Sequence, residues 1–163
     1  TRRSSDLFSH LIKTKLKNNL NIYNMYPQEL TKPMIEEITK NGFSELKTTE
    51  SVTNHLGDNS GKCLVLINSV CGCAAGSARP GVRQALENTT NKPDKLYTVF
   101  AGVDFEAVEK VREMCLPYPP SSPAIALFDN GELLHFVERH HIEGRNAGMI
   151  ADHLIDVFNE HCN

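Results

Sequence analysis

Lys62-Cys63-Leu64-Val65-Leu66-Ile67-Asn68-Ser69-Val70-Cys71-Gly72-Cys73-Ala74-Ala75-Gly76-Ser77-Ala78-Arg79-Pro80 sets an unbroken apolar run directly against two thiols and a segment of small residues. The apolar run reads as a strand buried on both faces, as in the middle of a parallel sheet. The small residues that follow can open a helix, so the two thiols stand where a strand ends and a helix begins. A helix N-terminus offers unpaired N–H groups and a partial positive charge. Both favour thiolate over thiol, and thiolate is the nucleophile of disulfide chemistry. Gly72 lets the backbone turn tightly between the sulfurs, and Ala74, Ala75 and Gly76 put no bulk over them.

Outward from this stretch the chain is well punctuated. On its N-terminal side, Pro27 and Pro33 suit first-turn positions, and Met34, Ile35 and Ile38 lead to a helix stop at Asn41-Gly42. A short strand is expected at 43–47, then a helix capped by Thr48 or Thr49 that ends at Gly57, then a loop at 58–61. On the C-terminal side the helix after the thiols runs to about Asn88 with Val82, Ala85 and Leu86 inward, and Pro80 should kink it. Residues 96–101 form another apolar strand, and Asp104 caps a helix to about Cys115. Residues 116–123 hold four prolines and are not helical. Asp129-Asn130-Gly131 between two strand-like runs, 124–128 and 132–137, is a hairpin signal. A last helix spans about 146–160, with Ile150, Leu154, Ile155 and Phe158 on one face.

From residue 43 the order is β-α-β-α-β-α-β-β-α. Right-handed crossovers make the early strands parallel, and the hairpin adds antiparallel ones. The expected fold is therefore α/β, a thioredoxin-like three-layer α/β/α arrangement around a mixed parallel/antiparallel sheet. Two segments are expected: residues 1–24, an N-terminal extension of upstream or added sequence able to form one helical stripe, and residues 25–163, the folded domain beginning at Met25.

Composition narrows the function. The 163 residues are 40% hydrophobic and 23% charged, with a net charge of −3. With no large basic patch, nucleic acid is not the expected partner. No apolar run approaches a membrane span, so no membrane association is expected either. Five scattered cysteines are an odd number and not a secreted disulfide framework. A cytoplasmic location is expected, where a close cysteine pair is more often catalytic or metal-binding than structural.

Cys71 and Cys73 carry the chemistry. Residues two apart can meet the ~4.4–6.8 Å Cα separation of a disulfide, with strain in so small a ring. A strained pair is the more easily reduced and the more oxidising. Cys71, at the strand end, is the expected attacking thiol, and Cys73, one step into the helix, the resolving one. Two readings of other classes compete. Cys71, Cys73 and some of the seven histidines could form a metal-binding module, although zinc sites space their cysteines more widely and no second pair exists. The chain could also be a redox-inert scaffold that only binds partners. Cys63 reads as core, Cys115 as structural and Cys162 as a loose terminal thiol. Ser122-Pro123 precedes a strand, where a cis bond is found at a base rate of about 5–6%. Residues 138–144 read as a solvated connection, in which Arg139 or His140 could stabilise a thiolate lying nearby.

These residues resemble the bacilliredoxins, thioredoxin-like proteins with a Cys-Gly-Cys site. The resemblance rests on residues 65–80, above all Asn68 to Gly76 with Ala78-Arg79-Pro80. Val99-Phe100-Ala101-Gly102, Ser121-Ser122-Pro123, His135-Phe136, Arg139-His140, Ile142-Glu143-Gly144 and His161-Cys162 support it. It covers about residues 25–163. What it implies is thiol–disulfide exchange on client proteins capped by the low-molecular-weight thiol bacillithiol, a co-substrate, with no bound cofactor and no metal. Cys71 would take the bacillithiol onto itself, and Cys73 or free bacillithiol would regenerate it. Gly72, Ser122 and Pro123 would line the client groove, with a cis Pro123 as its wall. Weak disulfide isomerase activity is also implied. Oligomeric state, clients and physiological reductant stay open.

Overall fold

A computed structural model of the protein describes residues 25–163; the extension expected at 1–24 lies outside the described residues. In chain order the elements are α1 (Gln28–Thr39), β1 (Ser44–Glu45), α2 (Thr49–Leu56), β2 (Lys62–Asn68), a π-helical turn (Ala74–Ala78), α3 (Arg79–Glu87), β3 (Lys95–Phe100), α4 (Phe105–Met114), β4 (Ala124–Asp129), β5 (Glu132–Val137), α5 (Arg139–Ile142) and α6 (Ala147–His161).

The five strands form one sheet in the order β1-β3-β2-β4-β5. β1 and β2 flank β3 in parallel, while β4 runs antiparallel to both β2 and β5. β2 is thus the middle strand. Its alternate residues feed two separate cores. Leu64 and Leu66 join Val82, Leu86, Ile150, Leu154 and Phe158 under α1, α3 and α6. Cys63, Val65 and Ile67 join Val52, Leu56, Val108 and Val111 under α2 and α4. Each fully buried side chain of this kind contributes roughly 1.5–3 kcal/mol, which is what fixes the strand's register and the position of whatever follows it. The thioredoxin-like three-layer plan is the observed one.

Local signals act as their chemistry requires. The Thr48 hydroxyl accepts the Ser51 N–H at 3.0 Å and the Ser51 hydroxyl accepts the Thr48 N–H at 3.1 Å, a reciprocal cap for α2. Asn130 (φ 49°) and Gly131 (φ 87°) make the tight β4–β5 turn. Asn146 Oδ1 accepts the Met149 N–H at 2.9 Å and starts α6.

Five expectations change. Pro33 stands in the middle of α1, not in a first turn; it is exposed, as is Glu29 four residues earlier, so the carbonyl that lacks a partner is left to solvent. The disturbance expected at Pro80 takes the form of the π turn immediately before it, in which the Arg79 N–H reaches back to the Ala74 carbonyl. Asp104 does precede α4, but its carboxylate accepts the Phe100 N–H at 2.9 Å and not a helix N–H. Residues 139–142 are a short helix, not an irregular connection, because buried Ile142 anchors it to the core. Cys162 is not loose: it is half-buried and packs against the α6 side of the core.

Among the described residues no helix is long and apolar enough to cross a membrane.

Candidate active site

β2 ends on a polar residue with no exposure at all, Asn68. Its side chain explains why an amide closes an apolar strand. Asn68 Oδ1 accepts the Ser69 N–H at 2.9 Å and Arg79 Nη1 at 3.0 Å, and Nδ2 donates to the Met34 carbonyl at 3.2 Å. Arg79 itself is buried, with its side chain 4% exposed, and its Nε donates to Glu37 Oε2 at 2.7 Å. Nη1 also reaches the Ser69 carbonyl at 3.3 Å. Glu37, Arg79, Asn68 and Ser69 therefore form one hydrogen-bonded chain beneath the thiol loop. A buried charge left without such partners would cost several kcal/mol.

The loop rests on this floor. Ser69 Oγ accepts the Cys71 N–H at 3.3 Å. The chain turns helical at 72–73 and continues through the π turn into α3. Cys71 thereby takes the helix-capping position, and its Sγ accepts the Cys73 N–H at 3.4 Å. A sulfur that receives a backbone N–H at a helix N-terminus is favoured as thiolate, by the hydrogen bond and the dipole together. Cys71 and Cys73 form a disulfide with a Cα–Cα separation of 5.3 Å. Cys71 opens into a cleft of about 480 Å³, whereas Cys73 packs against the core.

Gly72 has no positive φ, so the turn does not require glycine for its backbone. A Cβ there would meet nothing within 4 Å, and the residue leaves the surface over the sulfurs bare. Ala75 and Gly76 are likewise exposed and bulk-free, while Ala74 is buried in the core.

Of the other sequence-based candidates, Ser122 lines the Cys71 cleft and Pro123 lies buried behind it, with the Ser122–Pro123 bond cis. Arg139 also lines the cleft. Its Nε donates to Glu143 Oε1 at 2.6 Å, and its backbone N–H to Ser121 Oγ at 2.6 Å, which ties α5 to the proline loop. His140 lines the adjoining hollow instead, with Nδ1 3.3 Å from Glu138 Oε2 and its ring 4.0 Å from that of His141. Among the described residues, the ligand-type atoms that gather within 4.8 Å of one another are those of Glu138, His140 and His141, without either cysteine.

Sequence reasoning assigned no role to Asn68, Arg79, Glu109 or Arg112. Glu109 and Arg112 project from α4 into the Cys71 cleft. A signal existed for Arg79, which continues the inward stripe of Val82 and Leu86 and is thus a cation at an inward-facing helical position. Arg112 shares the flank of α4 with exposed Phe105, beside the buried face of Ala107, Val108 and Val111, and carried no such signal. The far wall is held by Gly102, whose positive φ (86°) and lack of Cβ admit the Tyr26 ring.

The remaining thiols sit in different surroundings. Cys63 and Cys115 are buried in the α2/α4 core. Burial pushes the Cys115 thiol up to about 12 and raises those of Cys63 and Cys162.

Comparison with known proteins places these features in a family context. The family model described as disulphide isomerase matches residues 26–162. A bacilliredoxin of Cytophaga hutchinsonii is 60% identical over 136 residues, spanning 83% of this chain and 99% of that protein. A bacilliredoxin of Salinibacter ruber is 47% identical, spanning 84% of this chain and 81% of that one, and one of Bacillus cereus is 45% identical, spanning 87% and 99%. Among solved structures, thioredoxin O2 of Arabidopsis thaliana in the oxidized state superposes with a TM-score of 0.52 at 16% identity, over 76% of this chain and 97% of that one. A Malassezia sympodialis thioredoxin gives 0.51 at 12% identity, over 74% and 91%. At such identities the structural likeness concerns the fold alone.

Proposed function

The chain belongs to the bacilliredoxin family and is, in the general sense, a thiol–disulfide oxidoreductase; from that premise we propose that it removes bacillithiol from mixed disulfides on client proteins. The observation that carries this reading is the asymmetry of the two thiols. Cys71 caps a helix, receives the Cys73 N–H and opens into a cleft, while Cys73 lies one step behind it against the core.

In the proposed reaction the reduced enzyme presents Cys71 as thiolate. It attacks the bacillithiol sulfur of the mixed disulfide, and the client sulfur leaves as thiolate and takes a proton. Cys71 now carries the bacillithiol. The Cys73 thiolate then attacks Cys71 Sγ, the Cys71–Cys73 disulfide forms, and bacillithiol leaves as thiolate. A second molecule of bacillithiol can instead release the first as its disulfide, which returns Cys71 without engaging Cys73. The first route consumes two electrons from the enzyme, so an external thiol reductant must restore the dithiol. The bare surface at Gly72 and the wall at Ser122 and Pro123 give the client's backbone a place to lie. A reducing cytoplasm is the compartment this cycle suits. Attack of Cys71 on the client sulfur would instead expel bacillithiol as thiolate and leave a client–enzyme disulfide. Another client thiol would resolve it into a new client disulfide with release of Cys71. This isomerisation is a second reading, favoured by the description of the matching family model.

The test is the intact mass of the Cys73→Ser variant after mixing with a bacillithiol-capped client. The expected result is bacillithiol on Cys71 and a free client thiol. A client–enzyme crosslink would point to isomerisation, and a client left capped would overturn both readings.

A further inference from the structure

We propose that Arg112 and Arg139 form a carboxylate-recognition subsite in the Cys71 cleft, which selects low-molecular-weight thiol caps bearing carboxylates; the inference rests on the exchange function proposed above. The cleft that holds Cys71 and a second hollow of about 380 Å³ beside it share three lining residues, Arg112, Ser122 and Arg139. The two arginines thus stand at the junction of a groove that starts at the reactive sulfur. A cap disulfide-bonded to Cys71 has this groove open to it, since Cys71 and both arginines line the same cleft.

Arg112 is the clearer of the pair. Among the described residues its Nε is the one buried side-chain nitrogen or oxygen without a hydrogen-bond partner. A guanidinium nitrogen buried without an acceptor is costly, and the residue bears that cost while lining both hollows. Arg139 engages Glu143 through Nε and lies 3.5 Å from the Ser122 carbonyl through Nη1, and its side chain stays half exposed, so its fork is placed without being saturated. Planar forks of this kind match carboxylates with two parallel hydrogen bonds. The charges facing them are Glu109 in the cleft, and Glu138, His140 and Glu143 in the adjoining hollow. Glu143 already pairs Arg139, whereas among the described residues Arg112 has no ion-pair partner, so Arg112 is the cation left for an incoming carboxylate. A carboxylate could also come from an acidic residue beside the client's cysteine. The cap is the assigned source because it is the part covalently held at Cys71.

The experiment follows transfer to the Cys73→Ser enzyme from one reporter peptide carrying three different caps: mercaptosuccinate, 2-mercaptoethanol and cysteamine. Rates of the Arg112→Gln, Arg139→Gln and double variants, each divided by the rate of the parent with the same cap, cancel the intrinsic reactivity of each disulfide. The expected result is a loss in the double variant about tenfold larger for the mercaptosuccinate cap than for the 2-mercaptoethanol cap, the scale of a charge-assisted hydrogen bond. The cysteamine cap should lose least. Arg112→Lys should keep part of the selectivity, since it keeps charge without the fork. Equal losses for all caps would mean a structural role and overturn the proposal. So would an arginine dependence that appears only when aspartates flank the peptide's cysteine, which would move the carboxylate to the client. No transfer from any cap, in parent or variants, would instead overturn the exchange function itself, and the subsite with it.

Discussion

Cys63 stands near the start of β2 and Cys71 three residues past its end, yet the two occupy opposite chemical worlds. Cys63 points into the α2/α4 core with no exposure, and burial raises its thiol above the ordinary range. Cys71 lies just past the strand's end, where the Cys73 N–H reaches its sulfur and a cleft opens. The side chain is the same. What differs is whether the backbone around it supplies hydrogen-bond donors or hydrocarbon, and a thiol's reactivity follows from that. The contrast also explains why a buried ionic chain lies beneath Cys71 and not beneath Cys63: the reactive loop has to be held by polar contacts because it is not packed in apolar ones.

The largest break in this contrast comes from Cys71→Ser. Bacillithiol transfer should fall to the uncatalysed rate, whereas Cys63→Ala and Cys115→Ala should retain most of it when assayed by client thiol release. Next is the floor of the loop. Arg79→Met removes the guanidinium from Glu37, Asn68 and Ser69, and should cost about 2–4 kcal/mol in chemical denaturation. The lower part of that range is the expectation, because Glu37 is a third exposed and can be rehydrated. Exchange should slow as well, since the loop loses its support.

A smaller effect tests the buried side of the comparison. Cys115→Ser places a hydroxyl where the thiol sits in hydrocarbon, and should destabilise the fold by about 1–3 kcal/mol with transfer rates maintained. The smallest effect concerns a histidine pair outside the Cys71 cleft. His135 Nε2 and His153 Nε2 are 2.9 Å apart, and both groups are held below the ordinary histidine range, first by burial. The unfolded chain therefore binds protons that the folded one resists. Stability from this source should be complete above about pH 6.5 and decline as the pH falls through the lowered folded values. His153→Gln should flatten that decline in thermal melts between neutral and mildly acidic pH.

How much of this was legible in the sequence differs by physical cause. Local chemistry was. The Thr48 cap, the Asn130-Gly131 turn and the apolar run of β2 are short-range devices, and each acts where it stands. The order of strands and helices followed from them, and with it the thioredoxin-like plan. Less legible was anything settled by distant partners. Asp104 looked like a cap but spends its carboxylate on Phe100, and Pro33 looked like a helix start because its exposure, which makes it tolerable mid-helix, depends on how α1 docks. At the site, the cysteines were visible because their spacing is local. Arg79 was quoted within the motif without a role, since its partner Glu37 comes from a helix 42 residues earlier. Arg112 was missed for the same reason: its role comes from meeting Arg139 and Cys71 across a cleft that only the folded chain creates.

The central claim is that backbone geometry at the strand–helix junction, and not the thiol itself, makes Cys71 the nucleophile. The most direct test is the alkylation rate of each cysteine in the reduced, folded protein across pH, read by peptide mass. The account predicts that Cys71 is labelled first, and that its labelling persists at pH values well below the ordinary thiol range of about 8.5. Cys63 and Cys115 should remain unlabelled until the protein is unfolded. A Cys71 rate that matches Cys162, or that rises only at or above the ordinary thiol range, would contradict it.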